Sequence, residues 1–298
     1  MALRSETTDG ALQARRLHPA LGAEVSGIDM RRPLDVATRE ALHAAWMEHI
    51  VLVFPGQHIS DEDHVGFSRN FGAVEVFHQN IIKSKRVPEI FRVANTDEDG
   101  KLLPPSDHVV RQLSSAQLWH TDSSYRPIPS MGSLLRGLEV VREGGVTCFT
   151  NMYLVWERLP EALKARVRGR KARHNFGYIR VLRGLPPVSE EDARKMPPVW
   201  QPMLRQHPVT GRTSLFISTI YNDEVEGMGP DEAKRFIAEL AEFCGRDEFV
   251  YRHKWRTDDV VMWDNRCTMH YVTPFDPGQR RVMHRTTIVG DGPVIAAA

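Results

Sequence analysis

The last third of this 298-residue chain is a succession of short apolar runs, each stopped by a turn-forming group. Phe249–Trp255, Val260–Trp263, Thr268–Val272 and Val282–Val289 are too short for helices and carry the β-branched and aromatic residues that suit strands. Ala23–Ile28, Ile50–Phe54, Ser133–Val141, Thr147–Met152 and Leu215–Ile220 add further strands, with Pro55-Gly56 and Gly144-Gly145 as turns. Helical signals are fewer. Leu42, Trp46 and Ile50 mark one face of a helix opening at Leu34-Asp35. Ser60 and Asp63 form a capping pair for another that ends near Gly72. Pro160 starts a third, to about Arg168. Pro230 starts a fourth, with Ala233, Phe236, Ile237, Leu240, Ala241 and Cys244 on its apolar face and Gly245 as its stop. Regular helix crossovers are missing, which argues against a parallel α/β sheet. The expected class is mainly β with helical insertions, with a double-sheet jelly roll (double-stranded β-helix) as its core.

The boundaries expected are a flexible tail over residues 1–16 and a single domain over 17–298. Residues 78–118 are polar, hold Pro88, Pro104 and Pro105, and lack clear periodicity, which predicts a loop covering a substrate. Residues 174–205 read as a second loop-rich stretch. The 39 basic and 38 acidic residues nearly cancel, so no charge footprint for nucleic acid is present. No apolar run reaches membrane-span length and no secretory h-region is visible. Cys148, Cys244 and Cys267 form neither a disulfide framework nor a CxxC site, and the expected location is the cytoplasm.

The sharpest chemical signal is Trp119-His120-Thr121-Asp122. In extended chain, residues two apart face one side, so His120 and Asp122 can grip one metal ion. His270 is the best third ligand. Two imidazoles and one carboxylate leave open positions, the arrangement used for oxygen activation at Fe(II). A chance HxD is not rare in a chain with 13 histidines, so the context matters. Arg281 and Arg285 follow His270, and a returning hairpin would bring both guanidinium forks beside the metal, where they would select carboxylates. His78, Lys83, Asn95 and Gln117, in or near the long loop, are candidate substrate contacts. Phe176, Tyr178, Phe216 and Tyr221 are candidates for an aromatic wall. Trp119 and Trp263 flank the ligands and would support them.

These blocks resemble the taurine/2,4-dichlorophenoxyacetate dioxygenase family over nearly the whole chain. The resemblance rests on LGAEVSGIDMRRPL, LVFPGQ, FSRNFG, WHTD, GGVT, WDNRCTMH and QRRVMHRTT, in that order. QLWHTDSSY, MPPV, FVYRHKW and VMWDNRC are similar to the 2,4-dichlorophenoxyacetate branch. Val146 stands where the family usually has an acid, and Tyr271 follows the distal histidine as in the taurine branch. The resemblance implies Fe(II) held by His120, Asp122 and His270. It implies 2-oxoglutarate held at its far carboxylate by Thr147 and Arg281, and an acidic substrate held by Arg285. The implied reaction uses O2 to hydroxylate a small anionic molecule and releases succinate and CO2. An aryloxyalkanoate is the favoured substrate, with an alkylsulfonate as alternative. A zinc-dependent hydrolase on the same triad and a non-catalytic dicarboxylate-binding jelly roll are the other readings. The family resemblance also suggests a homodimer or homotetramer.

Overall fold

The first helix, Val36–His49, starts where the Asp35 carboxylate accepts a hydrogen bond from the Thr38 backbone N–H. It buries Leu42, Trp46 and His49 and ends at Ile50, whose φ of 67° turns the chain straight into the strand Val51–Phe54. In this computed structural model, which describes residues 12–76 and 83–297, that strand lies inside the larger of two facing sheets.

The larger sheet has seven strands, in the order Gln13–Arg16, Ala23–Ser26, Val51–Phe54, Val260–Asp264, Gly132–Glu139, Val282–Ile288 and Phe91–Ala94. All neighbours are antiparallel except Ala23–Ser26 against Val51–Phe54. The facing sheet has Thr147–Asn151 at its centre, with Val250–His253 and Thr268–Val272 on either side. Near the future site the chain changes sheet through Gly144-Gly145, through the corner Asp264–Cys267, and again through residues 273–281.

Strand side chains alternate between faces, and here both faces are covered. Val51, Val53, Leu135, Val261 and Trp263 meet Phe149 of the facing sheet in one core. Leu52, Phe54, Leu134, Val260 and Met262 pack outward on Leu42 and Trp46 of the first helix and on Phe67. Phe67 belongs to the helix Asp61–Ser68, which carries the Ser60/Asp63 capping box expected from sequence. The outer face of the smaller sheet, with Cys148, Val250 and Met269, is covered by Phe236, Ile237 and Leu240 of the helix Pro230–Cys244. The molecule is thus mainly sheet, with helices outside both layers. None of its described helices is long and apolar enough to cross a membrane.

Several expectations need correction. Residues Gln13–Arg16 are an edge strand rather than tail, because their backbone pairs with Ala23–Ser26. The stretch 78–118 is not one loop. Phe91–Ala94 closes the edge of the large sheet, and a helix, His108–Leu113, runs into a single 3-10 turn, Ser114–Gln117. The stretch 174–205 includes the short helices Tyr178–Leu182 and Glu190–Lys195 and the strand Val199–Pro202. Leu215–Ile220 is strand only to Leu215. Residues 118–125, which read as extended chain, turn at Ser123 with φ 55°.

Two stability outcomes follow. Phe149 is fully buried and its ring lies 5.5 Å from that of Trp263, so it joins the two sheets. Phe149→Ala should cost about 3–5 kcal/mol in urea unfolding, and a loss below about 1 kcal/mol would mean the sheets do not share this core. His64 and His174 are buried, and burial pushes each down from 6.5 to about 3. Below 6.5 the unfolded chain binds protons that the folded one refuses, so this stability is complete above 6.5 and drains away toward 3. The urea midpoint should therefore fall from about pH 7.5 to about pH 5, and a rising midpoint would contradict it.

Candidate functional site

Two residues far apart in sequence are tied at the backbone. His120 N–H donates to His270 C=O at 3.0 Å, and His270 N–H donates to His120 C=O at 2.8 Å. This bridge sets the two imidazoles side by side, with ring centroids 4.2 Å apart. The turn at Ser123 then brings Asp122 back over them, with Oδ2 4.0 Å from His270 Nε2. One ligand atom from each of His120, Asp122 and His270 lies within 4.8 Å of the others, and all three residues are buried.

The protonation states suit a cation. His120 Nδ1 donates to the Leu118 carbonyl at 2.7 Å, which leaves the Nε2 lone pair free. Burial lowers His120, and burial together with the neighbouring His120 lowers His270 to about 3, so both rings are neutral. Burial alone would raise Asp122, but the Arg285 guanidinium, with His270, His120 and the Ser133 hydroxyl, holds it well below the usual carboxylate range. Neutral imidazole and ionised carboxylate are the forms that ligate a metal.

Among the described residues a second cluster, His207, Asp264 and Cys267, also brings three donors together. Its chemistry is different. His207 Nδ1 accepts from the backbone of Val209 and Thr210, so Nε2 carries the proton and donates to Asp264 at 3.0 Å. Both Asp264 oxygens are also gripped by Arg266, at 2.9 and 2.7 Å. This cluster braces the corner that leads to His270 and has no lone pair aimed at a shared point.

The two arginines are placed unequally. Arg281 is 6% exposed, and burial lowers it to about 10. Its guanidinium has no hydrogen-bond acceptor among the described residues; the Phe275 ring lies 5.5 Å away. A buried, unpaired guanidinium is costly unless an anion joins it. Thr147 borders the same cavity, and its Oγ1 accepts from Trp255 Nε1 at 2.9 Å, leaving its own proton to donate. Arg285 donates through Nη1 to Asp122 Oδ1 at 2.8 Å and stacks over Phe91 at 4.4 Å. All six residues line one cavity of about 140 Å³.

The aromatic wall comes from Phe176 and Tyr221, as sequence suggested, and from Tyr125, which had no distinguishing signal. Tyr125 lies 4.8 Å from Phe176 and 4.9 Å from Tyr221. Phe216 instead stacks on His174 in the interior, and Tyr178 faces an outer groove. Of the four loop candidates, His78 lies outside the described residues. Lys83 pairs by backbone with Phe91 and does not border the cavity. Asn95 is turned away: its Oδ1 accepts from Arg281 N–H at 2.7 Å and its Nδ2 donates to the Gln279 carbonyl at 2.8 Å. Gln117 borders a neighbouring cavity, and Gln112, Leu113, Ser115 and Ala116 face the site in its place. Trp263 packs 4.8 Å from His270, whereas Trp119 lies outside the cavity against Tyr271, at 4.5 Å.

Known proteins share this arrangement of elements. Against the "Alpha-ketoglutarate-dependent 2,4-dichlorophenoxyacetate dioxygenase" of Cupriavidus pinatubonensis the chain is 36% identical, over 94% of its own length and 99% of the relative's. Against the "(S)-phenoxypropionate/alpha-ketoglutarate-dioxygenase" of Sphingobium herbicidovorans it is 33% identical, over 92% and 94% of the two lengths. The crystal structure of AAD-2 in complex with Mn(II) and N-oxalylglycine superposes with a TM-score of 0.88 at 34% identity, covering 97% of this chain and 100% of that one. A sequence model of the family described as "Taurine catabolism dioxygenase TauD, TfdA family" matches residues 13–287, from the first edge strand to the strand that carries Arg285. The chain belongs to that family of dioxygenases.

Proposed function

We propose that the protein is an Fe(II)- and 2-oxoglutarate-dependent dioxygenase that hydroxylates a small aryloxyalkanoate, with succinate and CO2 as co-products. One observation carries the reading. Two neutral imidazoles and a carboxylate converge within 4.8 Å, in the same cavity as a buried guanidinium with no acceptor among the described residues. The triad fits iron by donor type, since it offers nitrogen and oxygen without thiolate.

In this reading His120, Asp122 and His270 hold the ion on one side and leave the cavity side open. Iron bound there, with 2-oxoglutarate as reductant, supplies the oxygen-activating chemistry that no side chain provides. Arg281 and Thr147 take the far carboxylate of 2-oxoglutarate, one by charge and one by its free hydroxyl proton. Arg285, on the strand that begins just after Arg281, takes the carboxylate of the substrate. Its planar fork selects an anion and points the rest of the molecule at Tyr125, Phe176 and Tyr221. Those rings favour an aromatic group over a short polar chain. Trp263 and Leu135 close the floor and keep water from the reacting carbon. When the oxidised carbon bears the ether oxygen, the hydroxylated product is a hemiacetal that breaks into a phenol and an oxo acid.

We further read the two facing sheets as a double-stranded β-helix within one domain that takes in the edge strand Gln13–Arg16 and runs on to the end of the described residues, working as a homodimer or homotetramer. The three free, buried cysteines accord with a reducing compartment such as the cytoplasm.

With Fe(II), 2-oxoglutarate and a phenoxyacetate, succinate should form in air and not under nitrogen, and His120→Ala should abolish it. Turnover that needs no oxygen would instead fit a zinc hydrolase, and 2-oxoglutarate binding without succinate would fit a binding module. Arg281→Ala should raise the KM for 2-oxoglutarate about 10- to 100-fold, as expected for a lost charged hydrogen bond, with a smaller effect on the prime substrate. Arg285→Ala should show the reverse pattern in a panel of aryloxyalkanoates, alkylsulfonates and neutral aryl ethers. An unchanged 2-oxoglutarate KM in Arg281→Ala would remove it from that role.

A further inference from the structure

A buried chain of hydrogen bonds runs from Trp263 to Asp122, and donor chemistry forces its direction. Trp263 Nε1–H donates to Asn265 Oδ1 at 2.8 Å. An indole N–H can only donate, so the Asn265 amide must present its oxygen to Trp263 and its Nδ2 to the other side. That nitrogen donates to Ser130 Oγ at 3.2 Å and to Ser133 Oγ at 3.3 Å. Ser133 Oγ therefore already accepts, and its single proton goes to Asp122 Oδ2, 3.0 Å away. Every side chain along the path is buried: Trp263 is 1% exposed, Asn265 1%, Ser133 0% and Asp122 6%.

The backbone keeps this path in register. Ser133 sits directly opposite Trp263 in the pairing of Gly132–Glu139 with Val260–Asp264. Asn265 follows in the corner that leads to His270, and the corner is held by Asp264, Arg266 and His207. Asp122 itself lies in a turn, without a ladder to fix its side chain. Its Oδ1 meets the long, rotatable Arg285 side chain. Among the described residues, Ser133, from a central strand, is the one that offers its carboxylate a donor on a short stem.

We propose that Ser133 and Asn265 are positioning residues of the metal site: Asn265 aims the Ser133 hydroxyl, and that hydroxyl holds the Asp122 carboxylate in the orientation that ligates metal together with His120 and His270. The proposal rests on the reading of those three residues as metal ligands. Groups that orient ligands in this way change metal affinity about 10- to 100-fold when lost.

The test is an anaerobic Co(II) titration followed by visible absorption, with unfolding temperature measured on each variant. Ser133→Ala should bind Co(II) about tenfold more weakly and with an altered band. Asn265→Asp, nearly isosteric, replaces the donating nitrogen with an acceptor that competes for the Ser133 proton, and it should weaken binding at least as much. Ser130→Ala should bind as wild type, because Ser130 accepts from the same amide without donating to Asp122. Wild-type affinity and spectrum in Ser133→Ala would overturn the proposal. So would equal weakening in Ser130→Ala, which would reduce the effect to packing. If Ser133→Ala does not fold, Asn265→Asp decides by the same criteria. Asp122→Ala separates the two layers: wild-type Co(II) affinity there sinks the ligand assignment, whereas weak binding there with normal binding in Ser133→Ala sinks only the relay.

Discussion

The reciprocal backbone bridge between His120 and His270 is the contact on which the site depends. It joins a segment that has no strand of its own to an outer strand of the smaller sheet. Without it, the two histidines would lose the main-chain link that sets their spacing. With it, two imidazoles are set 4.2 Å apart by main-chain geometry. Ordering a site in advance removes a conformational cost from the binding event. The bridge lies against a floor made by Phe149 and Trp263, so sheet packing and site geometry are one construction.

Charge is distributed across that floor with little surplus. Asp122 is answered by Arg285 and the Ser133 hydroxyl. Asp264, one residue past Trp263, is answered by Arg266 and His207. Of the two arginines at the cavity, Arg281 is the one whose guanidinium has no acceptor among the described residues. That imbalance is what a dianionic co-substrate would correct, and it separates Arg281 from Arg285 more clearly than their four-residue spacing does. The two line one cavity, Arg281 just before the strand and Arg285 within it, so one hairpin could carry both anion contacts.

Much of this was legible in the chain. The apolar runs gave the inner strands because both faces of the large sheet are covered and the runs are nearly continuous. His120, Asp122, His270, Thr147, Arg281 and Arg285 were named from motif and resemblance, and all six line one cavity. What escaped were edge elements and lid residues. Gln13–Arg16 is exposed at every position, so no apolar alternation marks it. Phe91–Ala94 is only partly buried for the same reason. Asn95 was read as a substrate contact because a polar side chain in a loop suggests one, yet its amide holds the backbone of Arg281. Ser133 was unmarked because a serine inside a strand has no local signal; only the fold shows what its hydroxyl meets.

The most direct measurement is anomalous diffraction from crystals grown with Mn(II). The account expects one strong peak per chain, within bonding distance of His120 Nε2, His270 Nε2 and an Asp122 carboxylate oxygen, and none at His207, Asp264 and Cys267. A peak at the second cluster, or full occupancy elsewhere with the first triad empty, would contradict it.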